Sequence, residues 1–197
     1  MKTIIVAEGG DLEIEIDDVG EGPKTKILVS SRRLAETSSY FETWLFGNPT
    51  TEPKPEEGPW VKPLRVVGVK VQPLIELLNI AHGNFSKVNK HPTLHQLLEI
   101  LCVTQALGLL HLVNLISNQW RKGAVSDLPN PWPSSTYRYL LPISYELGDK
   151  EVFDKVTSQC LKFWGVDESG QFPKKYWMTD PSHPQIPRLV GNYGPCP

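Results

Sequence analysis

Ile27-Leu-Val-Ser-Ser-Arg-Arg-Leu-Ala-Glu-Thr-Ser-Ser-Tyr-Phe41 is the stretch that decides the fold. It opens apolar and β-branched, so residues 26–29 read as a strand. Ser31 then offers a hydroxyl cap to a first short helix whose buried anchor is Leu34. Ser39-Tyr-Phe-Glu42 has the form of a capping box, in which the serine oxygen accepts from a backbone N–H and the glutamate reaches back. Phe41, Trp44 and Leu45 fall on one face of this second helix, and Gly47 is a plausible stop.

Working upstream, Asp11-Leu-Glu-Ile-Glu-Ile16 alternates strictly between acidic and apolar residues, the period of a half-buried strand. Leu12, Ile14 and Ile16 should face a core, and Glu13 and Glu15 water. Residues 17–23 carry two glycines and read as the hairpin connection to the strand at 26–29. Residues 3–7 are a further short strand, closed off by Gly9-Gly10.

Working downstream, residues 48–63 hold Pro49, Pro53, Pro55, Pro59 and Pro63 and read as an exposed loop, because proline lacks a donor and locks φ. A strand is expected at 64–69. Pro73 suits the first turn of a helix carrying Leu74, Leu77, Leu78 and Ala81 and ending at Gly83. Thr93 with Gln96 makes another capping box, and Leu94, Leu97, Leu98 and Leu101 form an apolar stripe. After Gly108, the residues Leu109, Leu112, Val113, Ile116 and Trp120 describe a second amphipathic helix, expected to return antiparallel to the first. Prolines 129, 131 and 133 mark residues 123–135 as a linker. Residues 137–147 read as a helix kinked at Pro142, and Asp149 as the cap of a helix through Val152, Phe153, Val156, Cys160 and Phe163. The expected organisation is a domain at 1–122, the linker, a helical extension at 136–165, and a loosely ordered tail at 166–197.

This order of elements and several local runs resemble the BTB/POZ domain over about residues 9–122. Gly10-Asp11-Leu12 resembles the opening stretch, and residues 27–41 resemble the central signature, with Leu34-Ala35 and Ser38-x-Tyr40-Phe41 at its leucine-alanine and S-x-Y-F positions. The helix at 73–83 ends in His82-Gly83, as in a branch common in filamentous fungi, and Ser30 fits that branch too. The resemblance implies an α+β fold: a small sheet flanked by a helical cluster, followed by a C-terminal helical extension. It also implies homo- or hetero-oligomerisation, a scaffolding role without catalysis. In the family, dimers form through the N-terminal strand and first helix, which map here onto Ile4, Ile5, Val6, Arg32, Arg33 and Leu34. Members that recruit a cullin-type ubiquitin ligase often carry an apolar-x-Glu motif after the second helix. Thr50-x-Glu52, Lys54-x-Glu56 and Pro55-x-Glu57 depart from it, which weakens the reading as a substrate adaptor of such a ligase.

The composition is that of an ordinary globular protein. The chain has 197 residues, is 40% hydrophobic and 21% charged, and carries a net charge of -2, so nothing in its electrostatics draws it to nucleic acid or an acidic membrane. Its three cysteines are sparse and odd in number, which points to a reducing compartment. No signal peptide or membrane span is expected, and the chain reads as intracellular, in cytoplasm or nucleus.

The competing class is a metal-dependent hydrolase using His91 and His95, four residues apart. Pro92 intervenes and Thr93 opens the helix, so a pair of surface histidines is the better account, and no metal or cofactor is expected. No G-x-S-x-G elbow, phosphate-binding glycine loop or G-x-G-x-x-G is present. Cys102 and Cys160 lie on apolar helix faces, where burial makes a thiol inert.

Overall fold

The computed structural model describes residues 2–16, 24–47, 54–65, 70–126, 128, 129 and 131–164. The expected hairpin at 17–23, the first half of the proline-rich loop, residues 66–69 and the tail lie outside them. The fold is α+β. Its elements are β1 (Lys2–Ile5), β2 (Leu12–Ile16), β3 (Thr25–Val29), α1 (Ser31–Thr37), α2 (Ser39–Phe46), β4 (Trp60–Pro63), α3 (Val71–Ala81) and a 3-10 turn (Phe85–Lys87). These are followed by α4 (Leu94–Ala106), α5 (Leu110–Asn114), α6 (Ser117–Ser126), α7 (Ser134–Glu146) and α8 (Lys150–Trp164). The chain divides into two compact units, residues 1–90 with 103–116 and residues 91–102 with 117–197. The helix α4 contributes residues to both.

The first unit is built on a sheet of order β1-β3-β2-β4. β2 and β3 are antiparallel with Ile14 opposite Ile27, while β1 joins β3 and β4 joins β2 in parallel. The alternation of β2 has its expected result. Leu12, Ile14 and Ile16 are buried, and Glu13 and Glu15 stand on the other face, where both pair with Lys26 at 2.8 and 3.4 Å. α3 packs on β3 and α1, and α5 packs on α3. Leu34, Phe41, Leu45, Leu74, Leu77 and Leu78 fill the core they enclose.

Four local expectations are corrected. A strand lies at Trp60–Pro63, inside the stretch read as loop, and Leu64 and Arg65, read as the start of the strand at 64–69, lie beyond it. β4 is an edge strand, and at an edge a residue whose N–H would face outward can be proline at no hydrogen-bonding cost. The cap of α1 is Ser30, whose oxygen accepts from the Arg33 amide, because Ser31 is turned inward to bind Asp11. The cap of α2 is Ser38, not Ser39. Its buried hydroxyl accepts from the Tyr40 amide at 3.1 Å and donates to the Leu107 carbonyl at 2.6 Å, a partner distant in sequence that local patterning cannot see. Finally, the single helix expected from 109 to 120 is two helices. At their junction the Leu115 and Ile116 amides bond three residues back, in the tighter 3-10 manner, among Asn114, Ser117 and Asn118, whose side chains compete with helix bonds.

In the second unit α7 packs on α8 around Tyr137, Leu140, Leu141, Val156 and Cys160. α6 runs through Ser126, and Leu128 and Trp132 of the proline-rich stretch pack against this core. The Thr93–Gln96 capping box forms in both directions, at 2.9 and 3.2 Å. Asp149 caps α8 through the Val152 amide at 3.2 Å and also takes Arg121 at 3.0 Å. Among the described residues no helix is long and apolar enough to cross a membrane.

Candidate protein interface

β1 and α1 reach the surface of the first unit through a small hydrogen-bonded clasp. β1 ends where the Val6 and Ala7 amides both donate to the Leu28 carbonyl, at 3.0 and 3.1 Å. The Val6 carbonyl is then free of the sheet and accepts from Asn84 Nδ2 at 2.7 Å. Two residues earlier, at the end of α3, His82 receives the Ser30 amide on Nε2 at 3.0 Å, and its Nδ1 meets the Leu78 carbonyl at 2.8 Å. With one nitrogen accepting, the other must carry the proton, so the ring is neutral with its hydrogen on Nδ1. Gly83 lies between the two side chains at φ +76°, a left-handed conformation that glycine adopts without penalty. The turn 82–84 therefore holds Val6, the residue just after the N-terminal strand, and the cap of the first helix on one support.

Asp11 secures the same region from below. One of its oxygens accepts from the Ser31 amide at 2.7 Å, and the other from the Ser31 hydroxyl at 2.7 Å and Lys54 Nζ at 2.6 Å. Burial pushes this carboxyl up, but the bonds from Lys54 and Ser31 and the lysine's charge outweigh it and bring its pKa down to about 2. For His82, burial dominates and lowers the pKa below 6.5. The Leu78 carbonyl opposes this shift, and the Arg33 charge adds to it.

The six residues expected at an interface divide cleanly. Ile5 is 55% exposed, Ile4 is half-buried, and Arg32 and Arg33 are exposed. Val6 and Leu34 are 4% and 0% exposed and belong to the core. Because the Val6 amide points at β3, backbone alternation turns the Thr3 and Ile5 amides and carbonyls away from it, along the sheet's outer edge. The opposite edge differs. By the same alternation the Trp60 and Leu64 amides point at β2, so position 63 faces outward, and there it is proline. Arg32 pairs with Glu36 of its own helix at 2.8 Å, and Glu13 and Glu15 are held by Lys26.

The other candidate chemistry is dispersed. His95 Nδ1 sits 3.5 Å from Glu99, with its ring edge-on to Tyr139, and a Cβ on Gly123 would lie 3.3 Å from His91 Nδ1. Among the described residues no group of three or more His, Cys, Asp or Glu side chains could hold a metal. Burial pushes the Cys102 and Cys160 thiols up to about 11, away from the reactive thiolate. Sequence reasoning used Asp11 as the start of an alternating strand and a family landmark, used His82 as a family landmark, and passed over Asn84. No known family profile matches the chain, and no curated protein matches it.

Proposed function

We propose that this chain is a protein-interaction module of the BTB/POZ type, and that it associates with another protein chain, in the first instance a second copy of itself. The edge of β1 carries this reading. Thr3 and Ile5 offer unpaired-strand geometry along the outer side of the sheet, and Ile5 exposes more than half of an apolar side chain beside it. An added strand would gain main-chain hydrogen bonds from this edge and apolar contact from Ile5. β4 supports the choice of edge, since Pro63 removes an outward donor there. Arg32 and Arg33 on α1 give the surface a basic flank suited to an acidic rim on the partner. The sparse cysteines favour a reducing compartment, cytoplasm or nucleus, for such a module.

Sedimentation of the intact chain across concentration tests this directly, alongside Ile5→Pro and Arg33→Glu. The Ile5 amide faces away from β3, so proline there removes a donor from the edge without breaking a bond inside the sheet. A dimer whose dissociation constant rises about tenfold or more in Ile5→Pro, roughly 1.4 kcal/mol, is the expected result. An intact chain that stays monomeric at high micromolar concentration refutes self-association, and the module then serves a different partner.

A further inference from the structure

The clasp beneath this surface has a chemical property that its role as a support does not require. Both nitrogens of His82 are committed, Nδ1 to the Leu78 carbonyl and Nε2 to the Ser30 amide. A carbonyl can take a proton donor from imidazole or imidazolium alike, but an amide N–H can be received only by an unprotonated nitrogen. We propose that His82 is an acid-sensitive pin for the β1–α1 surface. A proton taken from solvent at Nε2 turns the acceptor of the Ser30 amide into a donor, and the two N–H groups then repel.

The surroundings hold the pin closed at neutral pH. Arg33 of α1 places positive charge near the ring and disfavours a second cation. On the same helix Arg32 and Glu36 pair with each other. Lys26 of β3 is held by Glu13 and Glu15, and Glu76 of α3 accepts from Gln72 and the Asn89 amide. His111 of α5 and Lys87 of the 3-10 turn are exposed. Asp11, which holds the neighbouring Ser31, is spent on that residue and Lys54. Burial and the Arg33 charge place the transition below 6.5. Opening frees the cap residue of α1, since Ser30 also receives the Arg33 amide on its hydroxyl. The helix bearing the two arginines therefore loosens at its first turn.

That acid weakens association rests on the function proposed above; the pin itself does not. Two measurements on the full chain separate them. The first is exchange of the Ser30 amide, corrected for intrinsic rates, between about pH 7.5 and pH 5. Ser30 protection should fall roughly tenfold relative to the Leu97 amide, which is held by the Thr93 carbonyl. The fall should share its midpoint with the Nε2 nitrogen shift of His82 and be absent from His82→Gln. Protection that tracks Leu97 throughout, a midpoint differing from that of His82, or the same fall in His82→Gln would each overturn the pin. If His82→Gln does not fold, coincidence of the two wild-type midpoints decides alone. The second measurement is sedimentation at both pH values. A wild-type dimer weakened by acid supports the regulatory consequence, and a dimer indifferent to pH refutes it. A monomer at both pH values refutes self-association, and with it the regulatory consequence, while leaving the exchange result to judge the pin.

Discussion

Replacing Ser38 by alanine should be one of the most damaging single-atom deletions in the first unit. Ser38 is 4% exposed, and its hydroxyl does two things at once. It caps α2 by accepting from the Tyr40 amide, and it donates to the carbonyl of Leu107, a fully buried residue. Loss of a serine cap costs about 1 kcal/mol. Leaving a buried carbonyl without its donor costs a further 1–3 kcal/mol or so. No collapse can compensate, because the atom removed is small and Gly108 offers no side chain to move in. The expected total is therefore about 2–4 kcal/mol, read by urea titration as a lower midpoint at unchanged slope. Ser39→Ala is the matched control, since Ser39 is exposed and should cost less than about 0.5 kcal/mol. The reasoning fails if Ser38→Ala costs less than about 1 kcal/mol, or if Ser39→Ala costs as much as Ser38→Ala.

The Asp11 carboxyl should make stability depend on acid. Its folded pKa of about 2 lies below the ordinary 3.8, so its contribution is complete above 3.8 and is lost as pH falls toward 2. That gap corresponds to ~2 kcal/mol, which screening at a side chain about a third exposed reduces to ~1 kcal/mol, and Asp11→Asn should abolish this part of the acid limb in a pH series of urea titrations. His82 works in the same direction at higher pH: neutral when folded, it makes unfolding easier as pH falls below 6.5, and His82→Gln should flatten the profile there. Leu98→Ala should cost about 2–5 kcal/mol as a buried leucine truncation, and a loss below half a kilocalorie or so would mean the face of α4 is misassigned. Gly83→Ala should cost about 1–2 kcal/mol from backbone strain alone, since nothing lies within 4 Å of the added methyl, and a neutral result would show that the turn can relax.

The sheet strands β2 and β3 and the helices α3, α4, α7 and α8 were legible because each is specified by its own period. The alternation Leu12-Glu-Ile-Glu-Ile16 and the stripe Leu94, Leu97, Leu98, Leu101 need no partner to be read. The capping box at Thr93 and the Asp149 cap are equally local. What local pattern could not show was any choice made by distant atoms. Ser38 rather than Ser39 caps α2 because Leu107 supplies a second bond, and Ser31 cannot cap α1 because Asp11 has taken it. β4 was hidden by Pro59 just before it and by Pro63 within it, and Pro63 is tolerable because the strand lies at an edge, which is a property of the sheet rather than of the strand. The clasp was hidden for the same reason. Asn84 meets Val6 and His82 meets Ser30 across long separations, and neither lies on an apolar face that periodicity would flag. A histidine and an asparagine flanking a glycine at a helix end were the visible trace, readable as a polar turn but not as a support for another strand.

The order of strands also governs the sequence in which the sheet can assemble. β1 is synthesised first, yet it pairs with β3 rather than with its neighbour β2, and Lys2 must wait for Thr25. The β2–β3 pairing, with Glu15 opposite Lys26, closes a far shorter loop and should form first. Until β1 docks, the side of β3 that it will cover has only solvent for its donors and acceptors. Once docked, β1 is held in the sheet through β3 and at its end by the Asn84 amide, and it should be the first strand to exchange its amides and the last to regain protection on refolding. The chain's most available pairing surface is thus also the latest to appear, so a nascent or partly unfolded copy offers β3, not β1, to whatever strand it meets.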